Sequence, residues 1–141
     1  MVEQTQPTIK DVIAVAEFRS ALRHFLRRSE KVARQSGLTP QRYTLLMMIK
    51  GARDGSEQST VTELAERMQL AQSTVTELVR RAESAGLIER EQSQRDARVA
   101  HLRLTSEGDR RLMISFTELD AERAQLRDAF RNLDGGVTGS S

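Results

Sequence analysis

From position 9 onward, apolar residues return at the three–four spacing of one helical face: Ile9, Val12, Ile13, Ala16, Leu22, Phe25, Leu26, Val32 and Ala33. This pattern predicts a helix over residues 8–36. Thr8 and Asp11 stand in a capping-box arrangement at its start, and Gly37 suits the left-handed position after its end. Such a helix is about 40 Å long, more than a small lobe can cover. A second helix is predicted from Thr39 as N-cap and Pro40 as first helical residue, running to Gly51. Tyr43, Leu45, Leu46, Met47, Met48 and Ile49 nearly encircle it, which marks it as buried. Residues 52–59 are polar, contain Gly55 and form a loop.

A second capping box, Thr60-Val61-Thr62-Glu63, opens a short helix through Leu64, Ala65 and Met68. The tight connection Gln69-Leu70-Ala71 leads into a helix over residues 72–85, with Val75, Leu78, Val79 and Ala82 inward, which Gly86 ends. From Leu87 the period changes from 3.6 to 2. Residues 87–91 and 99–104 are strand candidates, and between them the polar, Arg-rich residues 92–98 form the exposed tip of a hairpin. Thr105 then caps one last long helix. Its apolar positions Leu112, Phe116, Leu119, Leu126, Phe130 and Leu133 make a heptad-like seam, interrupted by Arg123.

The expected fold is therefore mainly α with a small β-hairpin wing. A winged helix-turn-helix lobe occupies 38–104, and long N- and C-terminal helices over 8–36 and 105–134 are left to form a dimer. Residues 1–7 are expected to be flexible, and the Gly/Ser-rich 135–141 a disordered tail.

The residues Thr62 to Met68, Gln72 to Arg81 and Ala85 to Arg90 are similar to those of MarR-family transcriptional regulators. So are the wing Arg95-Asp96-Ala97-Arg98 and the Leu104-Thr105-Ser106-Glu107-Gly108 step into the last helix. The resemblance spans roughly residues 15–133. It implies a homodimeric repressor that reads a palindromic double-stranded DNA operator, and a small aromatic effector lodged between the dimer helices and the DNA lobe. Two features depart from the family pattern. Ala71 stands where a small polar N-cap is usual, and a missing cap costs about 1 kcal/mol. A further C-terminal helix of the family is absent from the expected layout, since Gly135-Gly136 follows the last helix.

On the helix over 72–85, Ser73, Thr76, Glu77 and Arg80 share one face opposite the inward set. Short hydroxyls allow close approach to bases and phosphates, and Arg can read guanine. With Gln72 and Thr74 these are the candidate base-reading residues. The bland reading is a solvated face in which Glu77 and Arg81 form an ordinary helical pair. At the wing, Arg95 and Arg98 suit the negative potential of a narrow minor groove, and Asp96 suits the orienting of an Arg side chain. By resemblance Arg98 inserts and Arg95 touches phosphate or the groove edge. A generic charged turn is the alternative. Thr39, Gln41 and Arg42 are expected at the DNA backbone. Phe25, Tyr43, Met47 and Phe116 are the expected effector lining, or else plain core.

Composition changes this picture little. Charged residues make up 30%, yet the net charge is only +2. Seven Lys/Arg stand against three Asp/Glu over 8–36, ten against nine over 37–104 and five against seven over 105–141. DNA binding must therefore rest on local placement, not on bulk charge. The basic set Arg19, Arg23, Arg27, Arg28, Lys31 and Arg34 is expected to be solvated or paired with acids of the last helix, with DNA attraction the lesser reading. Cysteine is absent, which removes disulfides, thiol chemistry and Cys-based zinc sites. His24 and His101 lack metal-site spacing, and no nucleotide-binding or nucleophile motif occurs, so no metal, cofactor or enzymatic activity is expected. With neither an export signal nor a membrane-length apolar run, a cytoplasmic location is expected. A winged helix that binds only protein is the rival class; an acidic or apolar outer face on residues 72–85 would mark it.

Overall fold

The computed structural model describes residues 6–135 other than 94 and 97. The order is α1 (Ile9–Gln35), α2 (Pro40–Lys50), α3 (Val61–Met68), α4 (Gln72–Ser84), β1 (Ile88–Gln92), β2 (Ala100–Leu104), α5 (Ser106–Glu118) and α6 (Asp120–Gly135). The termini predicted to be disordered lie outside the described residues, apart from the exposed Gln6 and Pro7 and from Gly135, which ends α6.

Side-chain caps set the helix starts where the sequence predicts them. Thr8 with Asp11 and Thr60 with Glu63 form complete capping boxes, and Thr39 accepts from the Arg42 N–H at 3.2 Å. Helices α1 and α4 close on the same pattern. A glycine at positive φ (Gly37 and Gly86) follows the last turn, and the next residue donates five positions back: Leu38 to Ala33 and Leu87 to Ala82. The turn between α3 and α4 uses this pattern too, with Leu70 donating to Ala65. There the left-handed residue is Gln69, φ 56°, whose own amide donates to the Glu66 carbonyl at 2.7 Å.

The core gathers Leu38, Tyr43, Leu45, Leu46, Ile49, Leu64, Val75, Val79, Leu87, Leu102, Leu112 and Leu119, with Val32 and Ala33 from the end of α1. Strands β1 and β2 pair antiparallel, Ile88 opposite Leu104 and Gln92 opposite Ala100. Ser59 adds a bridge on the free edge of β2, exchanging both backbone hydrogen bonds with Leu102 at 3.1 and 2.8 Å. This bridge pulls the loop after α2 under the hairpin, and nothing in the polar composition of 52–59 signals it.

The C-terminal region differs from the single long helix predicted over 105–134. It breaks at the buried Leu119 into α5 and α6. The Arg123 guanidinium donates to the Phe116 carbonyl, stacks 3.7 Å over the Phe116 ring and pairs with Asp120. A carbonyl released by the break is thereby satisfied by a charged donor. The residue that interrupts the heptad seam is the one that stabilises the bend. Helix α6 then runs along α1, with Phe18 and Phe130 edge to face at 6.1 Å and Arg28 paired to Glu122 at 3.3 Å. The chain thus has one more C-terminal helix than the expected layout.

A close backbone approach fixes how α5 leaves the hairpin. The Thr105 hydroxyl donates to the Gly86 carbonyl at 2.6 Å, the Thr105 N–H donates to the Leu87 carbonyl at 3.0 Å, and a Cβ at Gly108 would lie 2.1 Å from that Leu87 oxygen. Gly108→Ala must therefore force α5 away from the end of α4. It should lower stability by about 1–3 kcal/mol or more, read as a lower denaturant midpoint. Gly55→Ala, at φ +76° in open space, should lose only the left-handed preference, about 1–2 kcal/mol. Equal losses would show that the Gly108 contact is not tight in solution.

Candidate nucleic-acid interface

Helix α4 divides into two faces. Val75, Leu78, Val79 and Ala82 are buried, while Gln72, Ser73, Thr74, Thr76 and Arg80 are exposed and Glu77 is half-buried. The outward face is thus hydroxyl, amide and guanidinium, neither acidic nor apolar. Its N-terminus has no side-chain cap at Ala71, so the first-turn N–H groups stay available to an anion. Gln72 has a second role: its amide donates to the Thr62 hydroxyl at 3.4 Å and ties α4 to α3. Glu77 accepts from Arg80 through Nε at 2.9 Å and Nη2 at 2.5 Å, and from Arg81 at 3.1 Å. The predicted Glu77–Arg81 pair exists, and the stronger Glu77–Arg80 pair, three residues apart, was equally readable from spacing. Arginine hydrogen bonds, Arg80 first, hold the Glu77 carboxyl down at about 2.

The wing sorts its charges. Arg90 pairs with Glu83 of α4 at 2.9 Å, and Arg103 lies 3.8 Å from Glu89 and 3.6 Å from Glu91. Strand arginines are thereby matched with acids of the scaffold. At the tip, the Ser93 hydroxyl accepts from the N–H groups of Arg95 and Asp96, and Asp96 Oδ1 accepts from the Arg98 N–H at 3.0 Å and from its Nε at 3.3 Å. Arg95 is exposed, and the Arg98 side chain is 90% exposed while its base is held by Asp96. Ala97 lies outside the described residues.

Thr39, Gln41 and Arg42 form the first turn of α2. Among the described residues no hydrogen bond or ion pair joins their side chains to α4 or the wing, and the Thr39 hydroxyl serves as a helix cap. The four residues expected to line an effector pocket sit at or beside the core. Tyr43 is buried in the core, with Phe25 and Met47 packed against that core, and Arg123 covers the Phe116 ring. Burial pushes the Tyr43 phenol up, and the Arg123 charge opposes this. Phe25 does line a cleft of about 270 Å³, but with Glu17, Ser20, Ala21, His24, Glu122 and Gln125. Of the basic set on α1, Arg28 pairs with Glu122 while Arg19, Arg23, Arg27, Lys31 and Arg34 are exposed. Among the described residues no His, Asp and Glu cluster could hold a metal ion, and no helix is long and apolar enough to cross a membrane.

Residues 36–99 match the sequence model of the MarR family. No curated protein matches the chain. Among solved structures, the MarR family transcription regulator SP03579 superposes with a TM-score of 0.70 at 20% identity, over 90% of this chain and 87% of that one. The YusO protein from Bacillus subtilis gives 0.60 at 25% identity, over 86% and 83%. A point mutant of MarR from E. coli, complexed with operator DNA, gives 0.61 at 17% identity, over 91% and 85%. The winged helix-turn-helix of residues 36–99 thus resembles that of the MarR family, and the fold of the chain is the one seen in solved MarR-family structures.

Proposed function

We propose that the chain is a sequence-specific double-stranded DNA-binding transcriptional regulator, a repressor that acts as a homodimer on a palindromic operator. The carrying observation is the pairing of two exposed elements: the polar face of α4, and a wing tip where Asp96 orients Arg98 outward. The operator complex of the similar E. coli protein supports DNA as the partner. Ser73 and Thr76 read base edges in the major groove, and Arg98 enters the adjoining minor groove. Arg95, Thr39, Gln41 and Arg42 are assigned to phosphates. A small aromatic effector that releases the DNA belongs to the same reading, with Phe25, Tyr43, Met47 and Phe116 assigned to its lining.

Dimerisation is supported by what α1 leaves uncovered. Only Ser29, Val32 and Ala33 of α1 are buried, while Ile9, Val12, Ile13, Val15 and Leu26 are 46–72% exposed, as are Phe130 of α6 and, less fully, Met113 and Ile114 of α5. An apolar stripe of this length on a monomer favours association. Sedimentation at micromolar concentration should give a dimer. Ile13→Asp should shift it to monomer and weaken binding to a palindrome at least about tenfold, since one lobe then holds one half-site. A monomeric wild type that binds DNA just as well would overturn the assembly.

Base reading and anchoring separate in a selection on randomised duplex DNA. The wild type should enrich half-sites about one helical turn apart, ~10 bp, with affinity falling linearly in log salt. Ser73→Ala or Thr76→Ala should change the preferred core bases, each lost contact costing about 1–3 kcal/mol. Arg98→Ala should weaken binding broadly and keep the core motif. The reverse pattern sinks this division, and tight protein capture with no duplex binding favours the interaction-module class.

A further inference from the structure

The hydrogen bonds between Glu77 and Arg80 do more than balance charge. A guanidinium carries five N–H donors in a rigid plane. Glu77 takes one side edge of Arg80, through Nε at 2.9 Å and Nη2 at 2.5 Å. Two-point pairing of this kind fixes the plane of the fork as well as its position. Left free is the end of the group, where one N–H of Nη1 and one of Nη2 point outward in parallel. A parallel N–H pair is the arrangement that guanine O6 and N7 accept in the major groove. The Arg80 side chain is 62% exposed, so that end is open.

Glu77 is poorly placed to read a base itself. One carboxylate oxygen accepts from Arg80 Nη2 and Arg81 Nε, the other from Arg80 Nε. An exposed pair of this kind adds little to folding. Its consequence lies in orientation, because a long side chain fixed beforehand loses less freedom on binding. Resting on the DNA-binding reading above, we propose that Glu77 is a positioning residue: it clamps the side edge of Arg80 so that the outward donor pair reads a guanine in each half-site, and it touches no base itself.

Selection on randomised duplex DNA, run in parallel for wild type, Glu77→Ala and Arg80→Lys, tests this. Alanine favours the helix and position 77 lies outside the buried set of α4, so folding is retained, and matching melting curves verify it. Arg80→Lys, a point charge without a fork, should lose the guanine preference at one position per half-site. Glu77→Ala should weaken that same preference about two- to tenfold, while the remaining motif persists and the log–log salt slope steepens by about one as a freed arginine reaches phosphate. The inference falls if Glu77→Ala leaves the guanine preference at its wild-type value. It falls equally if the change appears at a different position, which would make Glu77 a base reader. A wild type that enriches no motif overturns the DNA-binding reading and this one with it; the two mutant outcomes overturn this one alone.

Discussion

Three elements meet at the backbone step from Gly86 to Leu87, and their directions are set there. Gly86 ends α4 at positive φ, and Leu87 closes its last turn on the Ala82 carbonyl. The Gly86 carbonyl accepts the Thr105 hydroxyl, and the Leu87 carbonyl accepts the Thr105 N–H while Gly108 of α5 presses against it. One dipeptide thus stops the exposed helix, starts the wing and seats the helix that leads away from the lobe. Because these bonds are backbone or short side chain, the mutual angles of α4, the hairpin and α5 have little freedom. Under the DNA-binding reading, this rigidity lets a helix and a wing address adjacent grooves together.

Charge follows a second rule. The chain is nearly neutral, so net charge alone does not draw DNA to it. Instead the partners of each arginine differ with location. Strand arginines Arg90 and Arg103 meet acids of the scaffold, and Arg28 meets Glu122 between α1 and α6. On the outward surfaces, Asp96 and Glu77 each hold an arginine near its base or along one edge and leave its far end in solvent. A carboxylate that would be unfavourable against phosphate becomes useful when its oxygens are already engaged. At Glu77 the arginine hydrogen bonds also hold the carboxyl down at about 2, below the ordinary carboxylate range, so the pair persists into mild acid.

Local signals made the lobe legible in sequence. Capping boxes, Pro40, the Gly37 and Gly86 stops and the change from period 3.6 to 2 are properties of neighbouring residues, and each one marks the element it predicts. What the sequence hid is non-local. The break at Leu119 is invisible to a heptad count because Leu119 stays on the apolar seam; the bend becomes favourable only with Arg123 folded back onto Phe116. The Ser59 bridge depends on an edge of β2 supplied 43 residues later. Phe25, Tyr43, Met47 and Phe116 share a periodicity with the core, and spacing alone does not separate a pocket wall from packing. On α4 the sequence distinguishes inner from outer residues correctly, yet side-chain pairing such as Glu77 with Arg80 is a choice among partners that spacing only permits.

The break at Leu119 connects these strands of argument. A straight continuation of α5 would forgo the packing of α6 along α1. The bend instead returns α6 along α1, where Phe130 meets Phe18 and Glu122 meets Arg28. Two helices side by side bury only one flank each: Ile9 and Val12 of α1 stay in solvent, and Ile13 borders the open groove between α1 and α6. Whatever covers that flank also fixes where the α4 face and wing tip point, since α5 joins the helix pair to the Leu87 junction without a flexible linker. Under the DNA-binding reading, a dimer built on that flank would set the spacing of the two reading faces through the α1–α6 pair, with base choice left to a few side chains on α4.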